Sequence, residues 1–265
     1  MAAAVLSPVC LLIAFSRVVP GWPLIVAANR DERLDRPAEP LTVLRANGPR
    51  TAGGRDLMAG GTWLAVNDHG VVAGLTNKPA TEGRDPSKRS RGEIPLALTV
   101  ADSAKGSVCS FRETASPGDY NPCWALVGDR SSLYYVDVTR SEGVGTVELS
   151  PGIHVLENKP LEEPSSKTDH VKRMLGDVRK LRVDQVQARL RRVIADHTIN
   201  QGPADDSDRA RLASRASACC VHTEEYGTRS SMLIRLSSSP SNPPEIWTSD
   251  GPACTNRLLR ANPFY

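Results

Sequence analysis

Cys10-Leu11-Leu12-Ile13-Ala14-Phe15 and Pro23-Leu24-Ile25-Val26-Ala27-Ala28-Asn29-Arg30-Asp31-Glu32 are two apolar runs separated by Pro20-Gly21. Short apolar runs on either side of such a turn read as a hairpin of buried strands. Antiparallel pairing about that turn sets Cys10 beside Arg30 and Asp31. A thiol next to a guanidinium and a carboxylate suits an N-terminal cysteine nucleophile: the α-amine acts as base, the Arg favours thiolate, and the Asp holds the amine. Nine residues precede Cys10, so its nitrogen is a peptide nitrogen in the chain as written. The bland alternative is a core cysteine, with Arg30 and Asp31 as an ion pair closing the hairpin.

Outward from this hairpin, strands are expected at residues 60–66 and 70–75 around an Asn67-Asp68-His69-Gly70 turn. Further strands are read at 124–128, 132–138, 145–149 and 153–156, the last two continuing one meander, and at 218–222, 231–236 and 245–248. Residues 33–50, with three prolines, and 237–244 read as loops. Helical spacing appears at 93–104 (Ile94, Leu98, Ala101), 168–181 and 183–197, the last with Val186, Leu190, Val193 and Ile194 on one side. Strand runs with helices grouped between them point to an α+β fold of antiparallel sheets with helices packed outside. No internal repeat is present, and the expected organisation is an extension over residues 1–9 followed by one domain over 10–265.

Composition narrows the function classes. The 33 basic and 30 acidic side chains nearly cancel, leaving a net charge of +3, and the 12 aromatic residues do not alternate with basic ones. That pattern offers no nucleic-acid stacking platform. No run approaches the ~20 apolar residues of a membrane span, and the first 15 residues lack the basic region of a signal peptide. Stable membrane insertion is therefore not expected, and a cytoplasmic location is. The six cysteines and five histidines lack short metal-ligand spacings, and Cys219-Cys220 is assigned to the core. No phosphate-binding glycine loop is found. The expectation is accordingly no metal and no cofactor; the oligomeric state is not legible.

Five strings carry a resemblance: Ala27-Ala28-Asn29-Arg30-Asp31-Glu32, Gly60-Gly61-Thr62-Trp63-Leu64, Leu75-Thr76-Asn77, Ser90-Arg91-Gly92-Glu93 and Tyr226-Gly227-Thr228-Arg229-Ser230-Ser231. In this order they resemble the NRDE family, also called the transport and Golgi organisation 2 family. Its members are similar in plan to N-terminal nucleophile hydrolases of the cholylglycine hydrolase and penicillin acylase type. The resemblance implies a four-layer αββα sandwich. It implies a catalytic set of Cys10, Arg30, Asp31, Asn77 and Asn158, the two asparagines helping to bind substrate and to stabilise an oxyanion. Asn29, Thr76, Arg91 and Arg229 would contact substrate, Arg229 in the place of a late site arginine. The bland alternatives are turn-capping roles for Asn77 and Asn158, layer packing for Thr62 and Trp63, and a turn held by Gly227 beside Arg229.

The sequence departs from the family pattern in its nine leading residues and in residues 255–265, which lack the usual aromatic and charged strand ending. Three routes reconcile the first departure: the extension is removed, translation starts at position 9, or the site is inactive. The implied activity is hydrolysis of, or acyl transfer from, a linear amide or thioester, with a small-molecule acyl substrate. The alternative is a non-catalytic binding protein for a small or lipid-like molecule, linked to secretory-pathway organisation or lipid homeostasis.

Overall fold

The computed structural model describes residues 10–79, 83–200, 202, 204–205 and 207–264; the extension expected over residues 1–9 lies outside them. The first hairpin forms as read, from β1 (Leu11–Val19) and β2 (Trp22–Arg33). Next come β3 (Ala38–Arg45), β4 (Thr51–Asp56), β5 (Leu64–Asn67) and β6 (Val72–Asn77). Two helices, α1 (Glu93–Ala97) and α2 (Ala104–Thr114), precede β7 (Cys123–Gly128), β8 (Leu133–Asp137), β9 (Gly145–Glu148) and β10 (Gly152–Leu156). Then follow α3 (Ser166–Leu175), α4 (Val183–Ile194), α5 (Asp208–Arg215), β11 (Tyr226–Leu236), β12 (Glu245–Asp250) and β13 (Leu259–Ala261).

The strands form two antiparallel sheets, ordered β10-β1-β2-β11-β12-β13 and β3-β4-β5-β6-β7-β8-β9. Side chains alternate across a strand, and β1 shows why its whole apolar run is needed. Leu11, Ile13 and Phe15 pack against Val186, Leu190 and Val193 of α4, while Leu12 and Ala14 meet Leu64, Val66 and Leu126 of the other sheet. On the far side, Ala73, Ala125 and Val127 are covered by Ile94, Leu98, Val108 and Phe111. Helix, sheet, sheet and helix therefore stack in four layers, the αββα arrangement of an N-terminal nucleophile hydrolase-like fold.

Several local expectations are corrected. Residues 33–50 hold a strand, because β3 is a sheet edge that tolerates Pro40 at a register shift between Glu39 and Leu41. The helix expected over 93–104 breaks after α1: the Thr99 hydroxyl donates back to the Pro95 carbonyl, and Ser103 caps a new helix by accepting from the Gly106 N–H. Strand β10 does not continue the meander but crosses to β1, pairing Leu156 with Leu12. Residues 218–222 make turns and one bridge, His222 to Gly227, rather than a strand. Helix α5, rich in polar residues, gave no apolar stripe to read.

Phe15 is fully buried between β1 and α4, so Phe15→Ala should lower unfolding free energy by about 3–5 kcal/mol in urea titrations. Met58→Ala, at a residue 68% exposed, should change it by less than about 0.5 kcal/mol.

Candidate active site

The apolar periodicity of β2 does not stop where its apolar residues do. Asn29, Arg30 and Asp31 continue the strand, and all three are buried. Asn29 and Asp31 face the helix layer, whereas Arg30 reaches the second sheet. Buried polar groups must be paired, and each finds a different solution.

The Asn29 amide nitrogen donates to the carbonyls of Ile194 at 2.8 Å and Cys219 at 2.7 Å, and its oxygen accepts from the Ser231 hydroxyl at 2.6 Å. It clamps β2 to the end of α4 and does not line the cleft, so the expected substrate contact is replaced by a structural one. The Asp31 Oδ1 accepts from the Thr228 hydroxyl at 2.5 Å, which in turn accepts from the Val221 N–H at 2.9 Å. Asp31 Oδ2 has no hydrogen-bond partner among the described residues. Arg30 lies 3.6 Å from Asp56 and 4.0 Å from Glu32, and its guanidinium sits 4.4 Å over the Trp63 ring. The expected ion pair between Arg30 and Asp31 is not made; neighbours on a strand point to opposite faces.

A cleft of about 260 Å³ opens at this end of the sandwich, lined by Cys10, Arg30, Asp31, Asn77 and Arg91 among others. Gly61 and Gly92 close one wall: a Cβ on Gly61 would lie 2.4 Å from the Gly92 backbone, and the Thr62 N–H donates to the Gly92 carbonyl at 2.9 Å. Trp63 lies across Gly54, where a Cβ would fall 2.2 Å from the indole. Gly61 and Gly92 thus permit close backbone approach, and Gly54 on β4 close approach of the Trp63 ring.

Across the sheets, the Thr76 hydroxyl donates to the Glu157 carbonyl at 2.8 Å, and the Asn158 amide nitrogen donates to the Asn77 carbonyl. Asn77 and Asn158 therefore meet, but only Asn77 is on the cleft wall. Thr76 is fully buried and acts as a tie between sheets. Arg229 is the extra residue of a bulge between Thr228 and Ser230; its guanidinium donates to the Leu34 carbonyl, outside the cleft lining.

Sequence reading missed Lys167 and Thr228. Lys167 is 2% exposed, donates to the Ala216 carbonyl at 3.0 Å, and favours the ionised form of Asp31. No periodicity marks a buried lysine on α3. It also missed the cationic lining, in which Arg33, Arg36, Lys78 and Arg84 join Arg30 and Arg91 against Asp31, Glu32 and Asp56.

Electrostatics limit what Arg30 contributes to Cys10, although it acts in the expected direction. Burial, then the Asp31 charge, pushes the Cys10 thiol up to about 12; the Asp31 backbone N–H opposes this, and Arg30 opposes it only weakly. Arg30, already shared between two carboxylates, does not make Cys10 a thiolate. Burial also raises the Asp31 carboxyl from 3.8 to about 7, opposed by Lys167 and Thr228.

Two antiparallel sheets between helix layers define an N-terminal nucleophile hydrolase-like fold. The solved structure of the Caenorhabditis elegans N-acylethanolamine-hydrolyzing acid amidase ortholog shares this fold, with a TM-score of 0.53, 12% identity, and coverage of 88% of this chain and 94% of that one. Within that class the chain belongs to the Transport and Golgi organisation 2 family, whose model matches residues 9–241. It is 30% identical over 235 residues to the Transport and Golgi organization protein 2 homolog of Bos taurus, covering 81% of this chain and 82% of the relative. The Mus musculus homolog is 28% identical over 239 residues, with the same coverages. Among the described residues no helix is long and apolar enough to cross a membrane.

Because Asp31 holds its proton to about pH 7 when folded but releases it near 3.8 when unfolded, its contribution is full below about pH 4 and is lost as pH rises through 7. Asp31→Asn should flatten that limb of the stability profile, by of order 1 kcal/mol per pH unit. Urea midpoints of both proteins at about pH 5 and about pH 7.5 check this.

Proposed function

We propose that this chain is an N-terminal cysteine amidohydrolase or acyltransferase acting on a linear amide or thioester in the cytoplasm. The observation that carries the reading is the convergence of Cys10, Arg30, Asp31 and Asn77 on one cleft. Six free cysteines accord with a reducing compartment. The excess of arginine and lysine around the cleft favours a substrate with an anionic group, while Leu75, Trp63 and Pro122 offer apolar contact for an acyl chain.

In this reading Cys10 Sγ attacks the acyl carbonyl and its proton passes to the α-amine of Cys10, which Asp31 Oδ2 orients. Asn77, carried on the backbone link to Asn158, stabilises the oxyanion. The amine returns the proton to the leaving nitrogen or sulfur, and water or a second acceptor then releases the acyl group from Cys10. The amine serves as the base here because burial and the Asp31 charge both disfavour an unassisted Cys10 thiolate. While residues 1–9 remain attached, no such amine exists, and the cleft can act only as a binding site for an anionic or lipid-like molecule. This favours the non-catalytic alternative for the untrimmed chain.

The test compares the full chain with one beginning at Cys10 on a panel of acyl amides and thioesters, with and without an anionic group. Turnover is expected only from the trimmed chain, weakened by Cys10→Ser, abolished by Cys10→Ala, and reduced on the order of 10²-fold in kcat by Asn77→Ala. Equal turnover by both chains would rule out the amine as base. Alkylation gives an independent readout: in the full chain the exposed Cys109 should react before the buried Cys10, and in the trimmed chain Cys10 should react first, slowed by Arg30→Ala.

A further inference from the structure

Two cysteines and two histidines far apart in sequence come together behind the cleft. His197 follows α4, Cys220 and His222 precede β11, and Cys254 lies between β12 and β13. Their four candidate ligand atoms lie within 4.8 Å of one another. Sequence spacing predicted no metal site, because each ligand comes from a turn whose partner is set only by the tertiary fold.

The distances can be compared with what a metal requires. Zinc bonds of about 2.3 Å to sulfur and about 2.0–2.1 Å to nitrogen, arranged tetrahedrally, place two sulfurs about 3.8 Å apart and a sulfur and a nitrogen about 3.6 Å apart. Here the Cys220 and Cys254 sulfurs are 3.7 Å apart. His222 Nε2 lies 3.6 Å from the Cys220 sulfur and 3.3 Å from the Cys254 sulfur. The fourth group is oriented as metal-binding imidazoles are: His197 Nδ1 is 3.1 Å from the Cys220 carbonyl oxygen. A carbonyl only accepts, so Nδ1 carries the proton and Nε2 keeps its lone pair.

We propose that His197, Cys220, His222 and Cys254 bind one structural zinc ion. Four protein ligands fill a tetrahedral sphere and leave no open position, which separates this site from catalytic zinc. Thiolate and imidazole donors suit a soft or borderline ion over magnesium or calcium. On binding, the two thiols release their protons to solvent and the imidazoles stay neutral, so two thiolates balance the charge of one Zn²⁺. The ion ties three turns together.

The site also sits directly behind the nucleophile machinery. Cys219 accepts from Asn29, and the Val221 N–H donates to the Thr228 hydroxyl that holds Asp31. Pinning residues 220 and 222 fixes the backbone from which both buttresses of β2 are supplied.

The test uses the full chain, purified under reducing conditions and titrated with zinc against a chromophoric chelator, with elemental analysis of the dialysed protein. One zinc per chain is expected, with a raised melting temperature that a strong chelator reverses. Cobalt in its place should give thiolate charge-transfer bands and the intense visible bands of a tetrahedral ion. Cys254→Ser and His222→Ala, both at less buried positions than Cys220, should each weaken zinc binding by more than the about 10–100-fold typical of losing a hydrogen-bonding partner of a ligand. Cys109→Ser, on α2, should leave stoichiometry unchanged. Circular dichroism of each variant separates loss of a ligand from loss of the fold, and the cobalt spectrum of folded His222→Ala must then lose its tetrahedral signature. No bound zinc in the folded wild type, zinc retained undiminished by both variants, or a Cys220–Cys254 disulfide in the reduced preparation would each overturn the assignment.

Discussion

Strand β2 is covered on both faces along nearly its whole length, and the rest of the site follows from that constraint. An apolar strand pays nothing for such a position, but β2 carries Asn29, Arg30 and Asp31 into the same covered environment. Each side chain must then be satisfied from whichever layer it faces. Helix α4 supplies the Ile194 carbonyl for Asn29, and the irregular segment after α5 supplies the Cys219 carbonyl. The neighbouring strand β11 supplies the Thr228 hydroxyl for Asp31, and the opposite sheet supplies Trp63 and Asp56 for Arg30. The string at residues 226–231 is the antiparallel partner of the string at 29–33, with Thr228 opposite Asp31 and Ser231 opposite Asn29. Two motifs separated by nearly the whole chain are thus one structural unit.

That burial also sets the chemistry. A sulfur enclosed beside a carboxylate is a poor thiolate, and Arg30 cannot offset this because Glu32 and Asp56 already share its charge. The usual route to a reactive cysteine, a nearby cation that lowers its pKa, is therefore weak. In the proposed reaction, proton removal falls to the α-amine that a chain beginning at Cys10 would carry. Asp31 Oδ2, buried beside Cys10 and free of hydrogen bonds among the described residues, is placed to receive an ammonium donor.

The legible parts of the sequence were those where local pattern and tertiary environment agree. The β1–β2 hairpin was readable because an apolar run buried on both faces needs no alternation, and α4 because one face of it is apolar throughout. Cys10 beside Arg30 and Asp31 followed from the hairpin, whereas Asn77 at the same cleft was implied only by the family resemblance, which also implied Asn158 there, a residue that does not line it. Strand β3 was not legible because edge strands tolerate proline and polar residues, and the break after α1 depended on a threonine hydroxyl competing with the helix. Asn29 lies off the cleft because its amide is taken up by the Ile194 and Cys219 carbonyls and the Ser231 hydroxyl, partners that are remote in sequence. Lys167 and the His197–Cys254 cluster leave no sequence pattern, and Thr228, though inside the 226–231 string, shows its role only through Asp31 on another strand.

The segment 219–222 connects these observations. It carries no regular structure, yet it supplies the Cys219 carbonyl to Asn29, the Val221 N–H to Thr228 and the Val221 carbonyl to the Thr228 N–H. Gly227 permits this approach, because a Cβ there would fall 2.7 Å from the Val221 oxygen. A segment without a helix or a sheet ladder is ordinarily among the first parts of a fold to open. Here it backs the buried polar residues of the central strand, so its opening would remove one of the two carbonyls that hold Asn29 and the N–H that orients the Thr228 hydroxyl toward Asp31. A cross-link through side chains, independent of backbone hydrogen bonding, is the device that such a segment needs. Two of its four residues, Cys220 and His222, lie beside His197 from the turn after α4 and Cys254 from the β12–β13 turn, side chains that would provide one.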